Sequence, residues 1–241
     1  MLRLLPLLLV LLSACAPLPQ SGPATPPSGV FEPVGTPDTQ NRAQAAANNF
    51  IEVVDTVEPV AEAECRRISP DSNCNFIIVV DDRPGQQPNA YQTIDRAGRP
   101  ILAFNLALIA SVNNADELAF VMGHEASHHI LGHLNRQQQN ASVGAVIFSG
   151  LAAASGASED YIREAEQIGA QVGARRYSKD FELEADQLGT IITARAGYNP
   201  VRGAEFFLRI PDPGNRFLGS HPPNAARIDI VRRTAARIGA I

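Results

Sequence analysis

Tryptophan is absent from the 241 residues, and there are only two methionines, three cysteines and four tyrosines. The missing tryptophan and scarce tyrosine bear little on function, but the other absences exclude more. There is no basic run and no interleaving of basic with aromatic residues, and the formal net charge is −5, so nucleic acid is not an expected partner. The N-terminal apolar run, Leu4 to Leu12, is far shorter than the roughly 20 residues of a membrane-spanning helix. A second uncharged stretch, Ala141 to Ala157, is interrupted by Gly and Ser and is marginal for a span; it reads as a tightly packed core helix or a mobile flap beside a cleft. No internal repeat is visible, and no wall-binding segment accompanies the chain.

What is present begins with Arg3, the short apolar run and Ser13-Ala14, the layout of a secretory signal peptide over residues 1–14. Leu12-Ser13-Ala14-Cys15 resembles the bacterial lipobox, in which the cysteine becomes the first mature residue and carries acyl chains. Each buried methylene contributes about 0.8 kcal/mol, so several chains hold a protein at a membrane without any spanning helix. Within that resemblance, Ala16 after the cysteine points to the outer membrane, with the protein facing the periplasm. Residues 15–38, rich in proline and without apolar periodicity, read as an extended linker, and residues 39–241 suit one domain of ordinary size. Export implies an oxidising compartment, so Cys65 and Cys74 are expected to pair; two sulfurs without further cysteine partners do not make a metal site.

Helical spacing of Ala43, Ala46, Ala47, Phe50, Val54, Val57 and Ala61 predicts a helix from Gln40 to about Arg67, with Pro59 a candidate kink. Phe76 to Val80 reads as a strand, and Tyr91 to Ile94 with Pro100 to Phe104 read as a hairpin around Asp95-Arg96-Ala97-Gly98. After Asn114, a capping residue followed by Asp116 and Glu117, the chain is mostly helical. The first of these helices carries Leu118, Val121, Met122, Ala126, Ile130 and Leu134 on its apolar side.

That helix contains His124-Glu125-Ala126-Ser127-His128, an HExxH string. Residues four apart on a helix differ by about 40° in direction and about 6 Å in rise, so the two imidazoles can close on one ion. Zinc bonds of about 2.0 to 2.1 Å suit such a pair. Glu125 points about 100° further round. It cannot easily join the chelate but is placed to act as general base on a water at the metal. Such a string arises by accident in roughly one of every one or two hundred chains of this length, but four of the five histidines lie between His124 and His133 and a suitable third ligand follows.

The segment Asp180-Phe181-Glu182-Leu183-Glu184-Ala185-Asp186 offers that ligand. Glu182 and Glu184 are separated by about 200°, so only one faces the metal. Glu182 shares a face with Asp186, which can accept a hydrogen bond from the free nitrogen of a ligating histidine. Glu182 is therefore the predicted ligand, and Glu184 reads as a surface or helix-stabilising residue. The astacin-like pattern, with its third ligand ten residues after the first histidine, would demand Leu134 and is rejected. His133 reads as a polar support on the same helix, and His129 points elsewhere. His221, in Ser220-His221-Pro222-Pro223, has no special meaning by itself.

Taken together, Pro88-Asn89-Ala90, the stretch from His124 to His133, Tyr177 to Asp186 and Ser220 to Pro223 resemble the metallopeptidase family that includes HtpX, BepA and the CAAX prenyl proteases. The size, the signal and the lack of a repeat tail look most like its small envelope lipoproteins. The resemblance implies one catalytic zinc held by His124, His128 and Glu182, with Glu125 as base, Asp186 behind the ligands, and His221 steadying the oxyanion or occupying the open position. Ser127 and Lys179 depart from the Gly and Arg of many members. The expected fold is α+β, a mostly helical gluzincin-type domain with a small antiparallel-edged sheet beside the active-site helix. The expected function is a lipid-anchored endopeptidase acting on unfolded or misassembled envelope proteins. Strand Ile101, Leu102, Ala103 and Phe104 is the candidate grip for extended substrate. A non-catalytic, chaperone-like assembly lipoprotein is the alternative, and a peptidoglycan amidase fits less well.

Overall fold

A computed structural model describes residues 36–176, 178–214 and 221–240. The signal peptide, Cys15, nearly all of the linker, Tyr177 and Ser220 lie outside the described residues.

Helix α1 spans Pro37–Ile68; the Thr36 hydroxyl caps it and Pro37 occupies its first turn, where no amide hydrogen is needed. Its stripe of Phe50, Val53, Val57, Ala61 and Cys65 is buried. Strands β1 (Ile77–Asp81), β2 (Ala90–Ile94) and β3 (Pro100–Asn105) form one sheet in the order β1-β3-β2. The β2–β3 hairpin is antiparallel and closes through Asp95, whose carboxylate accepts from the amides of Ala97 and Arg99, while Gly98 takes a positive φ of 78°. β1 pairs with β3 in parallel.

Placing β3 in the centre corrects the expected substrate grip. Ile101, Leu102, Ala103 and Phe104 are paired on both sides, to Ile77–Val80 and to Ala90–Thr93, so no backbone group remains for a further strand. The strand is also largely buried, as befits the middle of a sheet. The edge beside the cleft is β2.

A short helix α2 (Leu106–Ser111), capped by Asn105, separates β3 from α3 (Ala115–Ile130). The Asn114 side chain accepts from the Glu117 amide at the start of α3. α3 ends at Ile130, and Gly132, with φ 65°, turns the chain into α4 (His133–Ala154). Leu134 thus belongs to α4. α5 (Glu159–Arg176) runs back beside α4; α6 (Ser178–Arg195), α7 (Pro200–Gly203), a 3₁₀ turn (Ala204–Leu208) and α8 (Asn224–Ile238) follow. One core joins the α1 stripe, Phe76, Leu102 and Phe104 of the sheet, Leu118, Met122 and Ala126 of α3 and Ile192 of α6; a smaller one joins Phe120, Phe207 and Val231. The uncharged stretch after Ala141 is not core: in α4 only His133 and Gly144 are buried.

The sheet and α3 are held to α1 by a clasp. Cys65, in the last turn of α1, is bonded to Cys74 just ahead of β1. Within the loop they close, the Ser69 hydroxyl donates to the carbonyl of Ile130 at 2.6 Å, and the Asn73 carbonyl lies 2.8 Å from His129 Nε2. His129 thus points away from the other histidines and packs edge-on against Phe76. Closing so short a loop stabilises the fold by about 2 to 3 kcal/mol. Replacing both cysteines by alanine should lower the unfolding free energy by about that amount, read from urea denaturation with and without reductant.

Candidate metal centre

The centre is built where α3 and α6 cross. A β-carbon on Gly189 would lie 2.9 Å from the His124 amide nitrogen, and one on Gly123 would lie 3.0 Å from the Gly189 carbonyl. A side chain at Gly189 would force the helices apart and one at Gly123 would crowd them, so the two backbones touch and α6 delivers Glu182 and Asp186 to the histidines of α3. The close approach falls one turn before Ser127, whose hydroxyl is turned back onto the Gly123 carbonyl at 2.6 Å. The start of α3 is fixed by buried acids: Asp116 pairs with Arg202 and accepts from the Asn199 amide, and Glu117 pairs with Arg209.

His124, His128 and Glu182 converge. Nε2 of His124 and Nε2 of His128 are 3.0 Å apart, and the Glu182 oxygens lie 3.6 Å from the first and 3.4 Å from the second. Donors on a tetrahedral ion with bonds of about 2.0 to 2.1 Å stand about 3.3 Å from each other. Two nitrogens and a carboxylate at these separations fit zinc, with Oε2 of Glu182 nearer His124 and Oε1 nearer His128, and three protein donors leave a fourth position for chemistry. Burial opposes charge on Glu182, but hydrogen bonds to His128 and His221, with the charges of His124 and Arg227, hold its carboxyl well below the usual range. Burial likewise opposes charge on His128, and Glu182 and Glu125 outweigh it, raising its pKa.

Behind His124 stands a carboxylate and a cation. Nδ1 of His124 donates to Asp186 Oδ1 at 2.9 Å, which leaves the Nε2 lone pair facing the metal position. Asp186 is fully buried and accepts two further bonds of 2.7 Å from Nε and Nη2 of Arg227. The guanidinium lies over the Phe207 ring at 3.9 Å, and its Nη1 lies 3.5 Å from Glu182. Burial disfavours the Asp186 charge, and Arg227 reverses that, lowering its pKa. Nothing in sequence spacing singled out Arg227; a buried arginine on α8 is invisible until the partners are known.

Behind His128 stands a relay that spacing assigned otherwise. His133 is not on the helix of His128: it opens α4 beyond the Gly132 turn, and that turn brings its Nδ1 to 2.8 Å from Nδ1 of His128. Its Nε2 lies 3.2 Å from Glu184, which Arg136 holds with both nitrogens. A carboxylate only accepts, so His133 donates through Nε2 and accepts through Nδ1. His128 therefore donates through Nδ1, and its Nε2, which shares a proton with Glu182 in the absence of metal, is the nitrogen left to bind the ion. Burial pushes the pKa of His133 down to about 4, in keeping with a neutral acceptor. His133 is stacked on Phe181 at 4.7 Å. Glu184, read as a surface or helix-stabilising residue, does keep 42% of its side chain exposed and is also tied into the support of His128.

Glu125 is half-buried and lines the cleft beside the ligands. His221, half exposed, has Nδ1 3.0 Å from Glu182. The cleft, about 810 Å³, runs between β2, the ligand helices and the apolar wall of Phe206, Phe207 and Ile210.

If the Glu184–His133 pair fixes the tautomer of His128, His133→Phe keeps the stack on Phe181 but removes the acceptor. Zinc affinity, measured by chelator competition on the folded variant, should fall about 10- to 100-fold.

No curated protein matches the chain. Residues 50–235, however, match the family model described as Peptidase family M48, a span that takes in every residue of the centre. With that match laid over two histidines, a glutamate and a general-base candidate in zinc geometry, the chain belongs to peptidase family M48, a family of zinc metallopeptidases.

Proposed function

We propose that this protein is a lipid-anchored endopeptidase of the gluzincin type that cleaves extended segments of unfolded or misassembled polypeptides in the bacterial envelope, held at the outer membrane through Cys15. The observation that carries the endopeptidase reading is the outer edge of β2 beside the metal centre, which no strand pairs among the described residues. The Asn105 amide donates to the Asn89 carbonyl, so residues 89, 91 and 93 face β3. Ala90 and Gln92 therefore turn their backbone N–H and C=O outward, along the cleft that they line with Glu125. An extended peptide can add to such an edge through main-chain bonds and read little of its own sequence, whereas a folded substrate has no strand to offer.

Bound zinc supplies Lewis acidity to a carbonyl or water oxygen. The remaining work falls to side chains. Glu125 takes a proton from the attacking water and returns it to the leaving amine. Asp186 and the Glu184–His133 pair keep both imidazoles oriented with Nε2 toward the metal position. Arg227 neutralises Asp186 and lies within 3.5 Å of Glu182. His221 is the candidate for steadying the oxyanion; with Nδ1 on Glu182, it has a second N–H to give only as imidazolium or after leaving that carboxylate.

Glu125→Gln should retain one zinc per chain and lose about 10² to 10⁴ of the casein-cleavage rate. A wild-type protein that binds zinc yet cleaves no unfolded polypeptide would sink the endopeptidase reading in favour of an assembly role. Gln92→Pro removes one outward amide while leaving the β3 ladder intact. It should raise KM for extended peptides with kcat little changed, as steady-state kinetics on a peptide series would show.

A further inference from the structure

α4 and α5 form an arm that packs chiefly on itself. Gly144, Gly169 and Gly173 let the two backbones meet, since a methyl group on any of them would collide with the facing main chain. That closeness leaves the other side of α4 uncovered. Val143 is 58% exposed, Val146 71%, Ile147 52% and Leu151 67%. At about 100° per residue, Val143, Val146, Gly150 and Ala154 fall away from the α5 contact, Ile147 flanks them, and Leu151 falls nearer the α5 side but stays exposed in the last turn of α4. From Ala141 to Ser158 no residue carries charge. Asp160 and Glu164 project from the outer side of α5 by the same geometry, with Arg163 beside them.

We propose that this stripe is a lipid contact, which lays α4 on the surface of the bilayer to which Cys15 tethers the chain. The inference rests on the anchored reading given above. Other occupants fit less well. Even with the exposed Tyr161 and Ile168 of α5, the apolar side chains of the arm fall far short of the about 20 to 30 residues a side of a stable protein interface, which argues against a second copy. Leu134, which lines the cleft, precedes Val143 by nine residues, about half a turn away in direction, so the stripe does not continue the substrate path. Among the described residues no helix is long and apolar enough to cross a membrane, so α4 lies in the interface rather than spanning it. The tether by itself leaves orientation open: Cys15 stands 21 positions before Thr36, a reach of at most roughly 70 Å. A second contact on a rigid arm removes that freedom and sets the height of the cleft above the lipid.

The absence of tryptophan makes the test direct. In the full chain, the single indole of Val146→Trp should shift to shorter emission wavelengths on addition of neutral phosphatidylcholine vesicles and be quenched by brominated lipid. That of Gln167→Trp, on the outer side of α5, should do neither. High salt should leave the shift in place, since no basic residue lies in the stripe. Emission from the Val146→Trp chain that vesicles leave unchanged, while mass spectrometry shows Cys15 acylated, overturns the lipid contact and leaves the anchor standing. A shift that persists in a chain without acyl groups supports the contact and removes the anchor. A shift without vesicles that grows with protein concentration overturns the proposal in favour of a second copy.

Discussion

The contact on which the rest depends is the crossing of α3 and α6 at Gly123 and Gly189. A methyl group at Gly189 would press on the His124 amide, and separating the helices by even part of an ångström would draw the Glu182 carboxylate beyond the 3.4 to 3.6 Å at which it stands from the two histidine nitrogens of α3. Close-packed interiors do not absorb such a change smoothly. The α1 stripe and the disulfide clasp press on the back and the C-terminal end of α3, so much of the domain serves to hold one helix against another.

Bringing the helices together concentrates charge. Glu182 and Asp186, one helical turn apart on α6, are both buried, and unpaired buried charges cost several kcal/mol apiece. Arg227 answers part of that cost, with two bonds to Asp186 and its guanidinium against Phe207. One cation for two carboxylates leaves the cluster net negative, an environment that favours a divalent cation and a protonated His128 in its absence. The same arrangement divides labour between carboxylates. Glu182 faces the metal position, Asp186 stands behind His124, Glu184 stands behind the His133 that backs His128, and Glu125 lines the cleft beside the ligands.

Much of this was legible in the sequence, for reasons tied to local period. A four-residue spacing on a helix dictates a shared face, so the His124–His128 pair and the alignment of Glu182 with Asp186 follow from helical geometry. The Asn114 cap, the turn at Asp95 to Gly98 and the pairing of Cys65 with Cys74 are equally local. Errors came where a short break or a distant partner decided. Gly132 ends α3 before helical periodicity would, moving His133 onto another helix and turning it back toward His128. That single turn also gives Glu184 its purpose. β3 was expected to be free because it leads toward the motif helix, but a strand's neighbours depend on the whole sheet, and β1 takes the other side. The apolar composition of α4 suggested burial, whereas glycine contacts with α5 cover only one of its sides.

The sequence by itself determined which residues can hold the ion and which acid stands beside it, because those relations repeat within one or two turns of a helix. The tertiary structure decided the rest: which strand edge lies open, which histidine backs which ligand, that an arginine on the last helix neutralises Asp186, and that an uncharged helix stands outside the core. Each of these depends on segments remote in the chain meeting at a distance of one hydrogen bond, and no local period encodes that distance.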